Sequence, residues 1–218
     1  MALSSSSLHL SADKMDIKWV FFDVGSTLAD ETEAFRHCIN DAVKGTDVTA
    51  EQVLAKSVEF ARQNRPGARD AMIFYGLPRV EWHKEDEFPY PDAEEVLRYV
   101  HSRGYKIGVI ANQLLGTASR LEKWGLLKYI SVVAASAELR VAKPNPAIFT
   151  YALEQAGCAA SEALMVGDRL DNDVIPAQAL GMKTAWVRQG LAVYQHVVRE
   201  EEQPDYTVDC LSGLKEIL

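Results

Sequence analysis

Short β-branched runs, each set apart from the next by a helical pattern, constrain this chain more than any other feature. They are "IKWVFF" (17–22), "KIGVIA" (106–111), "ISVVAA" (130–135), "ALMVG" (163–167) and "KTAWVR" (183–188), with "YTVD" (206–209) as a sixth. Between them lie amphipathic stretches such as "DAEEVLRYVHSRG", "GTASRLEKWG", "NPAIFTYALEQAG" and "DVIPAQALG", several closing on a glycine that can cap a helix C-terminus. Alternating strand and helix predicts an α/β fold: a mostly parallel sheet between two layers of helices.

One interval breaks the rhythm. From Glu31 to about Tyr90 the strand signals vanish, and "EAFRHCINDAVKG" and "TAEQVLAKSVEFARQ" follow a helical period. A small helical subdomain over 31–90, inserted after the first strand, is expected. Residues 15–30 and 91–218 then form the core, re-entered through "PYPDAEEV", a proline-marked helix start. Residues 1–14 ("MALSSSSLHLSADK") lack a basic and apolar signal pattern and are expected to be either a leader or a non-native extension ahead of Met15.

A net charge of −8 argues against nucleic acid as the main partner, which normally demands a basic face. No apolar run reaches the ~20 residues that span a bilayer. Cys38, Cys158 and Cys210 have neither metal-site nor disulfide-framework spacing, which suits a reducing cytoplasm. Length and composition leave a monomer or a homodimer open.

Three segments carry candidate chemistry. In "WVFFDVGSTLAD" an apolar run ends on Asp23 and a Gly-Ser-Thr turn follows, so the carboxylate stands where open α/β sheets place their sites. Aspartate there can act as a covalent nucleophile, or simply as a turn cap. In "MVGDRLDNDV" a second strand ends on Gly167-Asp168, with Asp171 and Asp173 close behind. If Asp168 meets Asp23, the two like charges must raise a pKa or share a hard cation, Mg²⁺ by ligand type. Taken alone, those aspartates also suit a solvated helix start. In "VAKPNPAIF" Lys143 precedes a Pro-Asn-Pro turn, where its point charge could offset the carboxylates and a phosphate.

In this order and strand context, the segments resemble the haloacid dehalogenase-like superfamily of hydrolases. The resemblance runs from about Ile17 to Arg188, and the helical interval falls where that family inserts its C1-type cap over a Rossmann-like core. It implies that Asp23 is a nucleophile forming a phospho-aspartyl intermediate. Mg²⁺ is implied to be held by Asp23, the carbonyl of Gly25 and Asp168, with Asp173 in support. Lys143 is implied to bridge nucleophile and phosphoryl group, and Ser26, Thr27 and Asn112 to line the phosphate site. The implied substrate is a small phosphorylated metabolite.

Two positions depart from the family pattern. Gly25 stands where the second aspartate, the general acid and base, is expected, although glycine still offers the metal its carbonyl. Ala111 replaces a hydroxyl of the second motif. Acid–base catalysis supplies ~10²–10⁴-fold, so against a typical ~10 s⁻¹ the chain is expected to turn over slowly. The alternative is an impaired metal- and phosphate-binding sensor or interaction protein. Candidates to replace the acid from the insertion are His37, His83, Lys44, Lys56 and Glu85; the family's phosphonoacetaldehyde hydrolases use a cap lysine as a Schiff base. A halide-releasing dehalogenase, which needs no metal, is disfavoured by the retained Asp168 and Asp173. In "FYGLPRVEWHKEDEFPY", Arg79 and Trp82 either touch substrate or pack the cap.

Overall fold

The computed structural model describes residues 17–218; the expectation for residues 1–14 lies outside them. In chain order the elements are β1 (Trp19–Phe22), β2 (Ala29–Asp30), α1 (Thr32–Val43), α2 (Ala50–Ala61), α3 (Gly67–Phe74), β3 (Phe88–Pro89), α4 (Ala93–Ser102) and β4 (Lys106–Ala111). They continue as α5 (Thr117–Lys123), β5 (Ile130–Ala135), α6 (Ser136–Leu139), α7 (Pro146–Ala156), β6 (Ala163–Gly167), α8 (Ile175–Ala179), β7 (Lys183–Val187) and β8 (Tyr206–Val208). Six strands form one sheet in the order β5-β4-β1-β6-β7-β8, every neighbouring pair parallel. The predicted α/β fold is the observed one.

Every residue of β1 is buried, as in a parallel strand covered on both faces. Its side chains alternate between two cores. Val20 and Phe22 join Val96, Leu97 and Val100 of α4, whereas Trp19 and Phe21 join Ile148, Phe149 and Ala152 of α7. β6 does the same, with Leu164 and Val166 on the first side and Ala163 and Met165 on the second. The sheet is therefore the middle of three layers, and the carboxyl ends of β1, β4 and β6 share one rim.

Between β1 and α4 the chain leaves that rim. The antiparallel pair β2–β3 (Ala29↔Pro89, Asp30↔Phe88) forms a narrow neck. Beyond it α1, α2 and α3 enclose a separate small core of Ile39, Val53, Phe60 and Ala71. Thr49 and Gln52 close a reciprocal cap at the start of α2. Helix α3 is absent from the sequence expectation because its last apolar residues, Ile73 and Phe74, are exposed, which hides its period. Among the described residues no helix is long and apolar enough to cross a membrane.

Candidate active site

At the end of β1 the Asp23 amide donates to the Val166 carbonyl (2.9 Å), fixing this strand end against β6. The chain then reverses within six residues: the amides of Leu28 and Ala29 both reach back to the Val24 carbonyl at 2.9 and 2.8 Å. Ser26 takes a left-handed backbone (φ 55°) in this turn. Thr27 turns its hydroxyl onto Asp168 Oδ1 (3.5 Å).

Three strand ends bring the predicted residues together. The Lys143 ammonium, fully buried, lies 2.8 Å from Asp23 Oδ1 and 2.5 Å from Asp173 Oδ1. Asn112, just past β4, orients it: its amide nitrogen donates to the Lys143 carbonyl (2.9 Å) and its oxygen accepts from the Lys143 amide (2.7 Å). Asn112's side chain is thus committed to the lysine's main chain. Asp173 folds back from a single wide helical turn (residues 170–174) and also accepts from the Arg169 amide at 3.0 Å. A Cβ at position 167 would lie 2.5 Å from the Asp173 Cβ and closer still to its carboxyl carbon, so glycine is required there for that return. The Asp168 carbonyl accepts from the Trp186 indole (2.6 Å), which leaves its side chain facing Asp23 and Asp173. Ala111 is buried at the end of β4 and offers no donor.

The electrostatics are unbalanced. Burial pushes the Asp168 carboxyl well above the carboxylate range, and Asp173 and Asp23 add to the rise. Burial also lifts Asp173 to about 6 against the opposing pull of Lys143. Burial works against the Lys143 charge, but Asp173 and Asp23 outweigh it and hold its pKa above the ordinary value. Ligand oxygens of Asp23, Asp168 and Asp173 all lie within 4.8 Å of one another. Three acids against one lysine, all oxygen donors, form a set that fits a hard divalent ion.

A cleft of about 500 Å³ opens between this rim and the helices α1–α3. Asp23, Gly25, Ser26, Asn112 and Asp168 line it from the core, and Arg36 of α1, Arg65 of the α2–α3 loop and Arg69 of α3 line it from the other side. None of the insertion residues expected to replace the missing acid lines it. His37 and His83 stack on each other (3.4 Å between ring centroids) beside Asp41 and Asp86. Lys44 pairs with Asp41, Lys56 with Glu59, and Glu85 with His83. Trp82 packs edge-on against Phe35 and donates to Glu87 (2.6 Å), and neither it nor Arg79 lines the cleft.

The sequence reading passed over one residue, Glu31, which it took only as a boundary. Asp30 Oδ1 accepts from the Thr32 amide (2.9 Å), and Glu31, at the start of α1, gives the helix its carbonyl but makes no capping bond with its side chain. Its side chain points into the cleft instead, accepting from Gln113 Nε2 (3.3 Å) and Ser26 Oγ (3.4 Å). Burial, with Asp23 and Glu87 nearby, pushes its carboxyl up to about 8. The sequence signal was available: an acid on the far side of a tight Gly-Ser-Thr reversal, eight positions after Asp23.

Comparison with known proteins gives concordant results. The sequence pattern described as haloacid dehalogenase-like hydrolase matches residues 20–187. Phosphoglycolate phosphatase of Nitrosococcus oceani is 32% identical over 91% of this chain and 95% of its own. Glyceraldehyde 3-phosphate phosphatase of Pyrococcus abyssi is 30% identical over 80% of this chain and 82% of its own. The crystal structure of a predicted phosphoglycolate phosphatase from Haemophilus somnus superposes with a TM-score of 0.69 at 19% identity, over 94% of this chain and 99% of that one.

Proposed function

The chain belongs to the haloacid dehalogenase-like hydrolases, and from that premise we propose that it is a Mg²⁺-dependent phosphohydrolase of a small, acidic phosphorylated metabolite. The observation that carries this reading is the buried Lys143 ammonium shared by Asp23 and Asp173, with Asp168 facing both. Such an arrangement sets a countercharge beside Asp23 at the cleft wall while leaving negative charge for a cation to balance.

In this reading Asp23 attacks phosphorus and forms an aspartyl phosphate, which water then cleaves. Lys143 offsets charge on the nucleophile and on the phosphoryl oxygens. Asp23, Asp168 and the Gly25 carbonyl would hold Mg²⁺ with support from Asp173, and the bound ion would supply electrostatic stabilisation to the transferring phosphoryl group. The segment 31–90 is a cap over the site, and its Arg69, which has no ion pair among the described residues while Arg36 and Arg65 are held by Glu33 and Asp70, favours a substrate with negative charge beyond the phosphate. The named relatives act on phosphoglycolate and glyceraldehyde 3-phosphate, which makes small phosphorylated acids and aldehydes the first substrates to try.

The test is phosphate release with and without Mg²⁺ from phosphoglycolate, glyceraldehyde 3-phosphate, acetyl phosphate and p-nitrophenyl phosphate, with Asp23→Asn as the blank. Mg²⁺-dependent release above that blank supports an enzyme. Mg²⁺ and phosphate binding with no release from any ester would favour a sensor without turnover, the role that Gly25 and Ala111 favour when taken alone.

A further inference from the structure

We propose that Glu31 is the general acid and base of this site, reaching from the start of the helical segment into the place that Gly25 leaves empty. Resting on the hydrolase reading, this names the proton donor which that reading lacks. Asp23 and Gly25 both line the cleft, whereas Val24 between them is turned into the core. A side chain at position 25 would therefore project on the same side as the Asp23 carboxylate. The Glu31 carboxyl occupies that spot. A Cβ built on Gly25 would lie 2.6 Å from Glu31 Oε2 and 2.7 Å from its carboxyl carbon, and closer still to Oε1. Glycine at 25 and glutamate at 31 thus fit each other: any larger residue at 25 would have to displace the carboxyl.

The surroundings suit a group that must give and take a proton. Asp23 and Asp173 are tied to the Lys143 ammonium, but Glu31 forms no ion pair among the described residues. Its two hydrogen bonds are long and come from neutral donors, Gln113 and Ser26. Gln113 is in turn held by Arg120, which faces the buried Glu87 (3.4 Å) and so fixes the amide that orients Glu31. The tight reversal at residues 24–29 and the β2–β3 neck set the position of the chain at 31.

The chemistry balances with this one carboxyl. As the Asp23 oxygen bonds to phosphorus and the ester P–O bond breaks, protonated Glu31 gives its proton to the departing alkoxide oxygen. Water then enters, the Glu31 carboxylate takes one of its protons, and the new P–O bond displaces the Asp23 carboxylate. Free phosphate leaves, and both side chains are restored.

The experiment compares native protein, Glu31→Gln, Glu31→Ala and the relocated pair Glu31→Ala with Gly25→Asp, on p-nitrophenyl phosphate and on an alkyl phosphate ester. Glu31→Gln is expected to lose ~10²–10⁴-fold in steady-state turnover. On p-nitrophenyl phosphate, whose leaving group needs no proton, it should still release one equivalent of p-nitrophenol in a burst before stalling. On the alkyl ester it should show no burst, and the relocated pair should regain activity that Glu31→Ala lacks. Unchanged turnover in Glu31→Gln, or an equal fall on both esters without a burst, would overturn the assignment and leave the hydrolase reading standing. Native protein no better than Asp23→Asn on every ester would remove the hydrolase reading, and this inference with it.

Discussion

The Lys143 ammonium stands 2.8 Å from Asp23 Oδ1 with no exposed side-chain surface, so the strand-end aspartate shares with Asp173 the one ion-pair partner it has among the described residues. Removing one partner of such a set leaves buried charge uncompensated, which costs roughly 3–5 kcal/mol. Lys143→Met should therefore lower stability by about that amount in metal-free urea unfolding, and saturating Mg²⁺ should recover part of it. A loss under about 1 kcal/mol would mean that the carboxylates are neutralised some other way.

Asp168 gives the opposite sign. Its carboxyl is buried and faces two other acids, so in metal-free protein Asp168→Asn should be more stable than native at pH 7. With Mg²⁺ the order should reverse. A ligand at 100 times its dissociation constant adds about 2.7 kcal/mol, and that gain should be seen in the native protein and not in the variant. Equal Mg²⁺ shifts in thermal unfolding would place the ion elsewhere.

In the helical segment His83 faces Asp41 (2.8 Å) and Glu85 (3.2 Å) with His37 stacked on it, and Asp41 chiefly, through its hydrogen bond, raises the His83 pKa. A raised folded-state pKa means the stabilisation is full below the ordinary histidine value of 6.5 and is lost as pH rises through the folded value. The stability gap between native and His83→Gln should thus be widest near pH 5–6 and narrow by pH 9 (order of magnitude set by the histidine range). A gap that widens with pH would contradict the pairing.

Arg69 lines the cleft from α3 and is exposed to it. If it meets a second anionic group of the substrate, Arg69→Ala loses a charge-assisted hydrogen bond worth about 1.5–3 kcal/mol. KM for phosphoglycolate should then rise by roughly tenfold or more, with little change for p-nitrophenyl phosphate. Equal rises on both would assign Arg69 to the phosphate itself.

Much of this was legible because it is local. β4, β5 and β6 fall on the expected residues: β4 and β6 are almost wholly buried and read as continuous apolar runs, and the edge strand β5 keeps a β-branched run although it is only partly buried. The convergence of Asp23, Lys143, Asp168 and Asp173 follows from strand ends that parallel order brings to one rim. What was illegible depends on backbone reversal rather than pattern. Two-residue β2 and β3 carry no period, and they place Glu31 against Gly25. A glycine at position 25 was visible in the sequence; the Glu31 carboxyl lying against it needed the turn. Conversely, histidines and lysines that looked able to reach the crevice are held by neighbours in the helical segment, a matter of side-chain pairing that spacing does not encode.

The most direct measurement is to expose the protein to p-nitrophenyl phosphate with Mg²⁺, quench it, and map the phosphorylated residue by peptide mass. Asp23 as a nucleophile predicts a base-labile acyl phosphate on Asp23, at a higher level in Glu31→Gln than in native protein because the second step is blocked. Phosphate release that proceeds with no label on Asp23 in either protein, or undiminished in Asp23→Asn, would contradict the account.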